Sequence, residues 1–387
     1  MAWTFVRDAL LLLALASFAY YAVAIVAALR FFGRRDAVSV PSDFTPPISI
    51  LKPIYGLDRD AYENYASFCT QDYPDYEILF CVSDDEDPAI LVIEQIARDF
   101  PRRRIHLLIG SEPLGVSDKV NKLCRMAREA RHEILAISDS DVRVEPEYLR
   151  AIAAPFRDSA VGAVTCLYRG LTDGSLAANL EAIGNSTDFT AGVLVAWLFA
   201  PVNFALGATM ATTKTCLAEI GGFESLVDHF SDDYELGNRI AACGHRVELS
   251  TFPVSIVYPH QTLADAFRHQ LRWNVSIRFS RPAGHLGLVF TQALPLAVLA
   301  AIFAPSAAWA ISLLLGYLVF RGISAWVVGV YGMCDAGVRK HLELLPLRDA
   351  FAFVVWVASF FPQRIHWRDR EFYIRDKRLV PTTTRQQ

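Results

Sequence analysis

Ile134-Leu135-Ala136-Ile137-Ser138-Asp139-Ser140-Asp141-Val142-Arg143 is the stretch on which the reading of the fold turns. Four consecutive apolar residues run straight into two aspartates spaced one apart. That is the pattern of a buried strand ending in an acidic corner. In an open α/β sheet, ligands collect at the carboxyl ends of the strands. Two carboxylates there suit a hard divalent cation that carries a diphosphate. Alone, an Asp-x-Asp pair can also be read as an acidic turn.

Working outward, Tyr76–Val82 reads as another strand and ends in Ser83-Asp84-Asp85-Glu86-Asp87. Ile48–Pro53 is a first strand and Ile105–Ile109 a third, with helical patterns from Pro88 to Phe100 and from Ser117 to Ala130. Lys119, Asn121 and Lys122 fall in the first turns of the second helix. Strands alternating with helices imply an α/β class with a mostly parallel, doubly wound sheet. This is a nucleotide-binding half without the Gly-x-Gly-x-x-Gly turn of a dinucleotide binder.

Downstream, Val161–Leu167 is a further strand, and Arg246–Ser250 and Val254–Val257 are two short ones. Leu176–Phe204 is a long helical stretch, either lying near a membrane face or part of the core; Asp188 and Pro201 count against a span. Ser231-Asp232-Asp233-Tyr234-Glu235 places acids at the start of a helix running to about Cys243. Acids in that position are ordinary caps as well as candidate catalytic groups. Thr262–Ser280 is a basic amphipathic helix with Arg268, His269, Gln270, Arg272, Trp273 and Arg278. It reads as an interfacial helix or as a phosphate clamp.

The chain is 53% apolar yet 20% charged, which indicates a soluble domain joined to membrane segments. Ala9–Phe32 has the length of a span and is followed by Gly33-Arg34-Arg35, as expected of an uncleaved anchor with the next domain in the cytosol. Leu286–Ala304 and Ala307–Val330, broken at Pro305, read as a transmembrane hairpin. Ala350–Phe361 is apolar but too short to span comfortably, and the tail Arg364–Arg378 is basic. The expected organisation is therefore an anchor over 1–33, a cytosolic catalytic domain over 34–261 and a basic helix over 262–284. A hairpin over 285–331 and a tail over 332–387 with a membrane-associated segment at 350–361 complete it. A net charge of −4 gives no case for nucleic acid. Seven scattered cysteines without a CxxC pair fit reduced thiols.

An acidic strand end, an Asp-x-Asp corner and a later acidic helix start are the parts that transfer from a sugar nucleotide requires. The departing diphosphate needs charge neutralisation by a divalent metal. The attacking hydroxyl must lose a proton to a carboxylate on the opposite face, as in inverting glycoside chemistry.

Ile50-Leu51-Lys52-Pro53, Asp84 with Glu86-Asp87-Pro88-Ala89, Lys119-Val120-Asn121, Asp139-Ser140-Asp141-Val142-Arg143-Val144, Asp232-Asp233-Tyr234 and Gln270-Leu271-Arg272-Trp273 occur in this order. The ordered set, over roughly residues 45 to 290, resembles the ceramide glucosyltransferase family and its bacterial relatives, including the hopanoid-biosynthesis glycosyltransferases. These are inverting enzymes of the GT-A fold. The resemblance implies that Asp84 contacts uridine, that Lys119 lies near the nucleotide and that Asp139 and Asp141 form the diphosphate and metal corner. It implies that Asp233 is the general base. Gln270, Arg272 and Trp273 lie in the segment matching the Gln/Arg-x-x-Arg-Trp motif, which closes over the donor diphosphate. Its first position here is His269, leaving His269 and Gln270 as alternatives for that role. Read one at a time, Asp84 can be a helix cap and Lys119 a solvated lysine.

The expected activity is transfer of one sugar from a UDP-sugar to a membrane lipid hydroxyl, with Mn2+ or Mg2+ as cofactor. Glucose to ceramide is the first expectation and an N-acetylglucosamine to a hopanoid polyol the alternative. A processive polysaccharide synthase needs more spans, and an inactive lipid-binding scaffold would not need these acids. The expected location is a bacterial inner membrane with the catalytic domain in the cytosol.

Overall fold

A computed structural model describes residues 2–35, 43–361, 365–367, 370–375 and 378–381. Parts of the expected Val38–Pro47 linker and of the basic tail lie outside the described residues. The chain divides into two compact units, each assembled from separate stretches of sequence. One takes 35–168, 200–259 and 372–387, and the other takes 1–34, 169–199 and 260–371. The second includes 169–199, which the sequence reading grouped with 34–261.

The first unit is built on a sheet of eight strands: β1 (Ile48–Pro53), β2 (Tyr76–Val82), β3 (Arg104–Ile109), β4 (Ile134–Ile137), β5 (Val142–Arg143), β6 (Val161–Leu171), β7 (Met210–Thr213) and β8 (Arg246–Val257). Their order is β3-β2-β1-β4-β7-β6-β8-β5. The first four are parallel, with Ile50 opposite Ile78 and Ala136. They are the apolar runs of the sequence, and β1, β2 and β4 are buried along their whole length, as central parallel strands covered on both faces must be. From β7 onward the sheet turns antiparallel: β7 pairs with β4 and β6, and β5 with β8. The sheet is therefore mixed, where the sequence suggested mostly parallel pairing. The two short strands expected around Pro253 are one continuous strand, β8.

The other unit is helical. Thr4–Phe32 and Ala307–Gly332 are each long and apolar enough to cross a membrane. Phe5, Leu12, Leu15, Ile311, Leu315, Leu318 and Val319 are exposed, as side chains facing lipid tails would be. The remaining expected arm, 286–304, is a pair of short helices, Pro282–Thr291 and Ala293–Ile302, bent by 55°. Ala14, Phe18, Tyr21, Ala297, Leu313 and Tyr317 form a buried cluster among these helices. Small residues on the first helix, Ala24, Ala27 and Ala28, are wholly covered.

Arg321 lies inside the apolar 307–332 segment and is only 1% exposed. It is satisfied rather than lipid-facing. Its Nε donates to Asp349 at 3.0 Å and its Nη2 to Asp188 at 2.6 Å. Asp188 lies in a π-helical turn, Asn185–Phe189, within the helix through Leu176–Phe199. Asp349 comes from Leu345–Ala358, a helix of 14 residues, which rises only about 21 Å and cannot span.

Candidate active site

Parallel pairing sets the carboxyl ends of β1, β2 and β4 on one edge of the sheet, since Leu51 is in register with Ile137 and Pro53 with Cys81. The loops that follow carry Asp58, Asp84 and the Asp139–Asp141 corner. Backbone bonds hold the corner: Ser138 N donates to Leu51 O at 3.1 Å, and Val257 N to Asp141 O at 2.9 Å.

Beneath it sits Lys52, a fully buried lysine on β1. Its Nζ donates to the Asp139 carbonyl at 2.8 Å and lies 3.8 Å from the centre of the Phe68 ring. Burial pushes its pKa down to about 7 against the pull of Asp141, Asp139 and Asp58. Asp141 moves the opposite way, raised to about 7 by burial and by Asp139 and Asp58, with Lys52 opposing. Asp58 is also raised, first by burial, and one of its buried carboxylate oxygens has no hydrogen-bond partner among the described residues.

Lys119 enters from the helix Asp118–Glu129, whose first turn is capped by Ser117 Oγ accepting from Val120 N. Its Nζ bridges Asp139 Oδ1 at 2.8 Å and Asp232 Oδ2 at 3.2 Å. Burial alone would lower its pKa; Asp139 and Asp232 raise it above the ordinary lysine value. This bridge joins the strand-end corner to the helix Asp232–Ala242. Next to it, Asp233 Oδ1 accepts from Tyr234 N at 2.7 Å. Burial, then Asp232, raises Asp233 to about 6, and Lys119 opposes. An Oδ2 of Asp139 and an Oδ2 of Asp233 each lie 3.4 Å from where a Cβ on Gly207 would stand, so the two acids flank one glycine. The 232–242 helix is seated by Gly237, whose missing Cβ would stand 2.3 Å from Ala205 N.

Asp84 stands exposed at the end of β2, where its Oδ1 accepts from Glu86 N at 3.1 Å and closes a turn. Asp87 is structural, with Oδ2 accepting from Gly56 N and Oδ1 from Ala89 N, both at 2.9 Å. Lys122 is buried and donates to Ile54 O at 2.6 Å.

The structure thus brings together Lys119, Asp139, Asp141 and Asp233 with Asp232, noted beside Asp233 in the sequence, and adds Lys52 and Asp58. Lys52 lay in a noticed stretch, but nothing in an apolar strand announces a buried lysine's role. Asp58 sits in Gly56-Leu57-Asp58-Arg59-Asp60, which reads as a turn. Gln270, Arg272 and Trp273 belong to the helical unit, on Leu263–Ser280, which opens with a capping box between Thr262 and Asp265. Gln270 is buried there, its Oε1 accepting from Arg348 Nη1 at 3.0 Å.

Five carboxylates (Asp58, Asp139, Asp141, Asp232, Asp233) meet two ammonium groups, Lys52 and Lys119. That surplus of negative charge, with an unpartnered oxygen on Asp58, fits a cation. Among the described residues no three His, Cys, Asp or Glu side chains converge as a metal cage. Such carboxylates would suit a hard cation held by one or two of them.

The family model described as glycosyl transferase family 21 matches residues 9–380. Ceramide glucosyltransferase 1 of Caenorhabditis elegans is 25% identical over 365 residues, covering 91% of this chain and 77% of that protein. The ceramide glucosyltransferase of Komagataella phaffii is 32% identical over 144 residues, 34% of this chain and 28% of that protein. Among solved structures, a mannosyltransferase from Pyrobaculum calidifontis in complex with GDP-Man and Mn2+ aligns with a TM-score of 0.48 at 19% identity, covering 90% of this chain and 99% of that one.

Proposed function

From the premise that this chain belongs to glycosyl transferase family 21, and is a UDP-sugar-dependent glycosyltransferase, we propose that it moves a single sugar to a membrane lipid hydroxyl. Glucose to ceramide is the specific reading. The observation that carries the transfer chemistry is the Lys119 bridge, which ties the strand-end acid Asp139 to the helix start bearing Asp232 and Asp233; the choice of glucose and ceramide is supported by the likeness to ceramide glucosyltransferases.

In this reading Asp84 holds the uridine, and Lys119 and Asp139 lie along the nucleotide. Asp141, with Asp139, would hold Mn2+ or Mg2+; when bound, the cation neutralises charge on the departing diphosphate. Gln270, Arg272 and Trp273 act on the donor from their own helix. Asp233 takes the proton of the acceptor hydroxyl. The acceptor oxygen bonds to the anomeric carbon on the face opposite the phosphate. The carbon–phosphate-oxygen bond breaks, its electrons leave with UDP, and the configuration inverts. A base raised to about 6 has a proton affinity close to working pH, where general-base catalysis is effective. The protein is read as integral to a bacterial inner membrane, with the sheet-bearing unit in the cytosol.

Product mass spectrometry on the detergent-purified chain tests this, with UDP-sugars, Mn2+ or Mg2+, and ceramide or a hopanoid polyol. One hexose on ceramide is the expected product. An N-acetylhexosamine on the hopanoid would move the acceptor to the family's other branch, and no product on either lipid would reject both acceptors. Asp233→Asn should abolish transfer, about a 10²-fold loss or more, while UDP still binds. The wild-type rate should rise with pH through about 6 as Asp233 deprotonates.

A further inference from the structure

From Phe204 to Met210 every residue is buried except Gly207, so the turn that leads into β7 meets the outside at this glycine. The turn is held from beneath. Leu206 and Thr209 form an antiparallel bridge, and Thr209 N donates to Leu206 O at 3.1 Å. Thr165 on β6, wholly buried, clasps both ends: its Oγ1 accepts from Leu206 N at 2.8 Å and donates to Thr209 O at 2.7 Å. Tyr148 Oη stands 3.3 Å from Thr209 Oγ1. A turn fastened by a satisfied buried network is rigid.

Two ordinary reasons for a glycine do not apply here. The φ of Gly207 lies outside the left-handed region, so its backbone conformation is open to any residue. The atoms nearest to a Cβ on it stand at ordinary van der Waals distance, so alanine would fit the protein as it is. Gly237 is the contrast, since a Cβ there would meet backbone at 2.3 Å. What a side chain at 207 would fill is the space beside two acids, with Asp139 Oδ2 and Asp233 Oδ2 each 3.4 Å away.

That space has a chemistry. In the transfer described above, Asp139 belongs to the corner that serves the departing diphosphate, and Asp233 takes the acceptor's proton on the opposite face. The anomeric carbon must be held between those two, in line for displacement. We propose that Gly207 is the floor of the donor-sugar subsite. The transferred sugar rests on its bare backbone, and a side chain at this position discriminates against the sugar and not against the nucleotide. Asp139, Gly207 and Asp233 all belong to the sheet-bearing unit. The inference rests on the UDP-sugar reading and adds to it a position that reads the size of the sugar.

The test is calorimetry on the full-length protein in detergent with Mn2+, titrated with UDP, UDP-glucose and UDP-N-acetylglucosamine, beside a thermal melt. Gly207→Ala should melt as wild type does and bind UDP with unchanged affinity. It should bind the UDP-sugar that wild type accepts about tenfold more weakly or worse, the scale of one misplaced methyl group in a fitted pocket. Unchanged affinity for that UDP-sugar would overturn the inference while leaving the donor reading intact. A lowered melting temperature with UDP and UDP-sugar weakened alike would make Gly207 a packing residue and overturn it too. A wild-type chain that binds no UDP would remove the donor reading, and this inference with it.

Discussion

Asp141 carries a conflict between stability and function. In the metal-free protein its carboxyl is raised to about 7, well above the ordinary carboxylate value. Between the two values the folded state holds a proton that the unfolded chain releases, so folding stability falls as pH rises toward 7. Asp141→Asn should therefore melt higher than wild type at pH 8 without metal and at about the same temperature at pH 5. Added Mn2+ should raise the wild-type melting point and leave the variant nearly unmoved. A wild type that is the more stable metal-free protein at pH 8 would show that Lys52 already balances Asp141. The sequence displayed Asp139 and Asp141 because their spacing is a signal. It hid Lys52 and Asp58, because burial and proximity arise only when β1 and β4 pair.

At the scale of elements, the parallel half was legible: β1, β2 and β4 fall where uninterrupted apolar runs stand, as covered parallel strands require. The antiparallel half was legible only in part: β6 and the two ends of β8 read as strands, but their pairing did not show. β7 is four residues, Met210–Thr213, too short to show a period. Pro253 reads as a break in β8, where a proline can sit without ending the strand. The seat of the 232–242 helix was equally invisible, since it depends on a hydrogen atom at Gly237 meeting the backbone of Phe204 and Ala205. Gly237→Ala should destabilise the protein by about 1–3 kcal/mol, the usual cost of overpacking. Because that helix carries Asp232 and Asp233, the variant should also lose transfer activity in excess of its loss of folded protein. Denaturant melts paired with rate measurements separate the two effects.

For the molecule as a whole, the first helix is more than a tether. Phe18 stacks on Phe320 at 5.6 Å, Phe31 meets Trp197 edge-on at 5.1 Å, and Gly332 leaves room for the Phe32 ring. Exchanging residues 2–32 for an unrelated apolar span should keep the chain in the membrane fraction but abolish activity and lower the melting temperature. Activity retained after that exchange would reduce the helix to an anchor. The sequence could announce a span from length and apolarity alone; which of its faces is covered is a property of its partners.

The order in which the chain visits its two units gives synthesis a timetable. The first helix leaves the ribosome early, while Ala293–Ile302 and Ala307–Ala325, which bury it, come late. At roughly 5–20 residues per second, it waits some tens of seconds in the bilayer without them. The sheet waits as well, since β8 must join strands made long before it. A ribosome that stalls before β8 would therefore leave a membrane-inserted fragment with an open sheet and an uncovered first helix, and one that stalls just after β8 would leave the first helix uncovered.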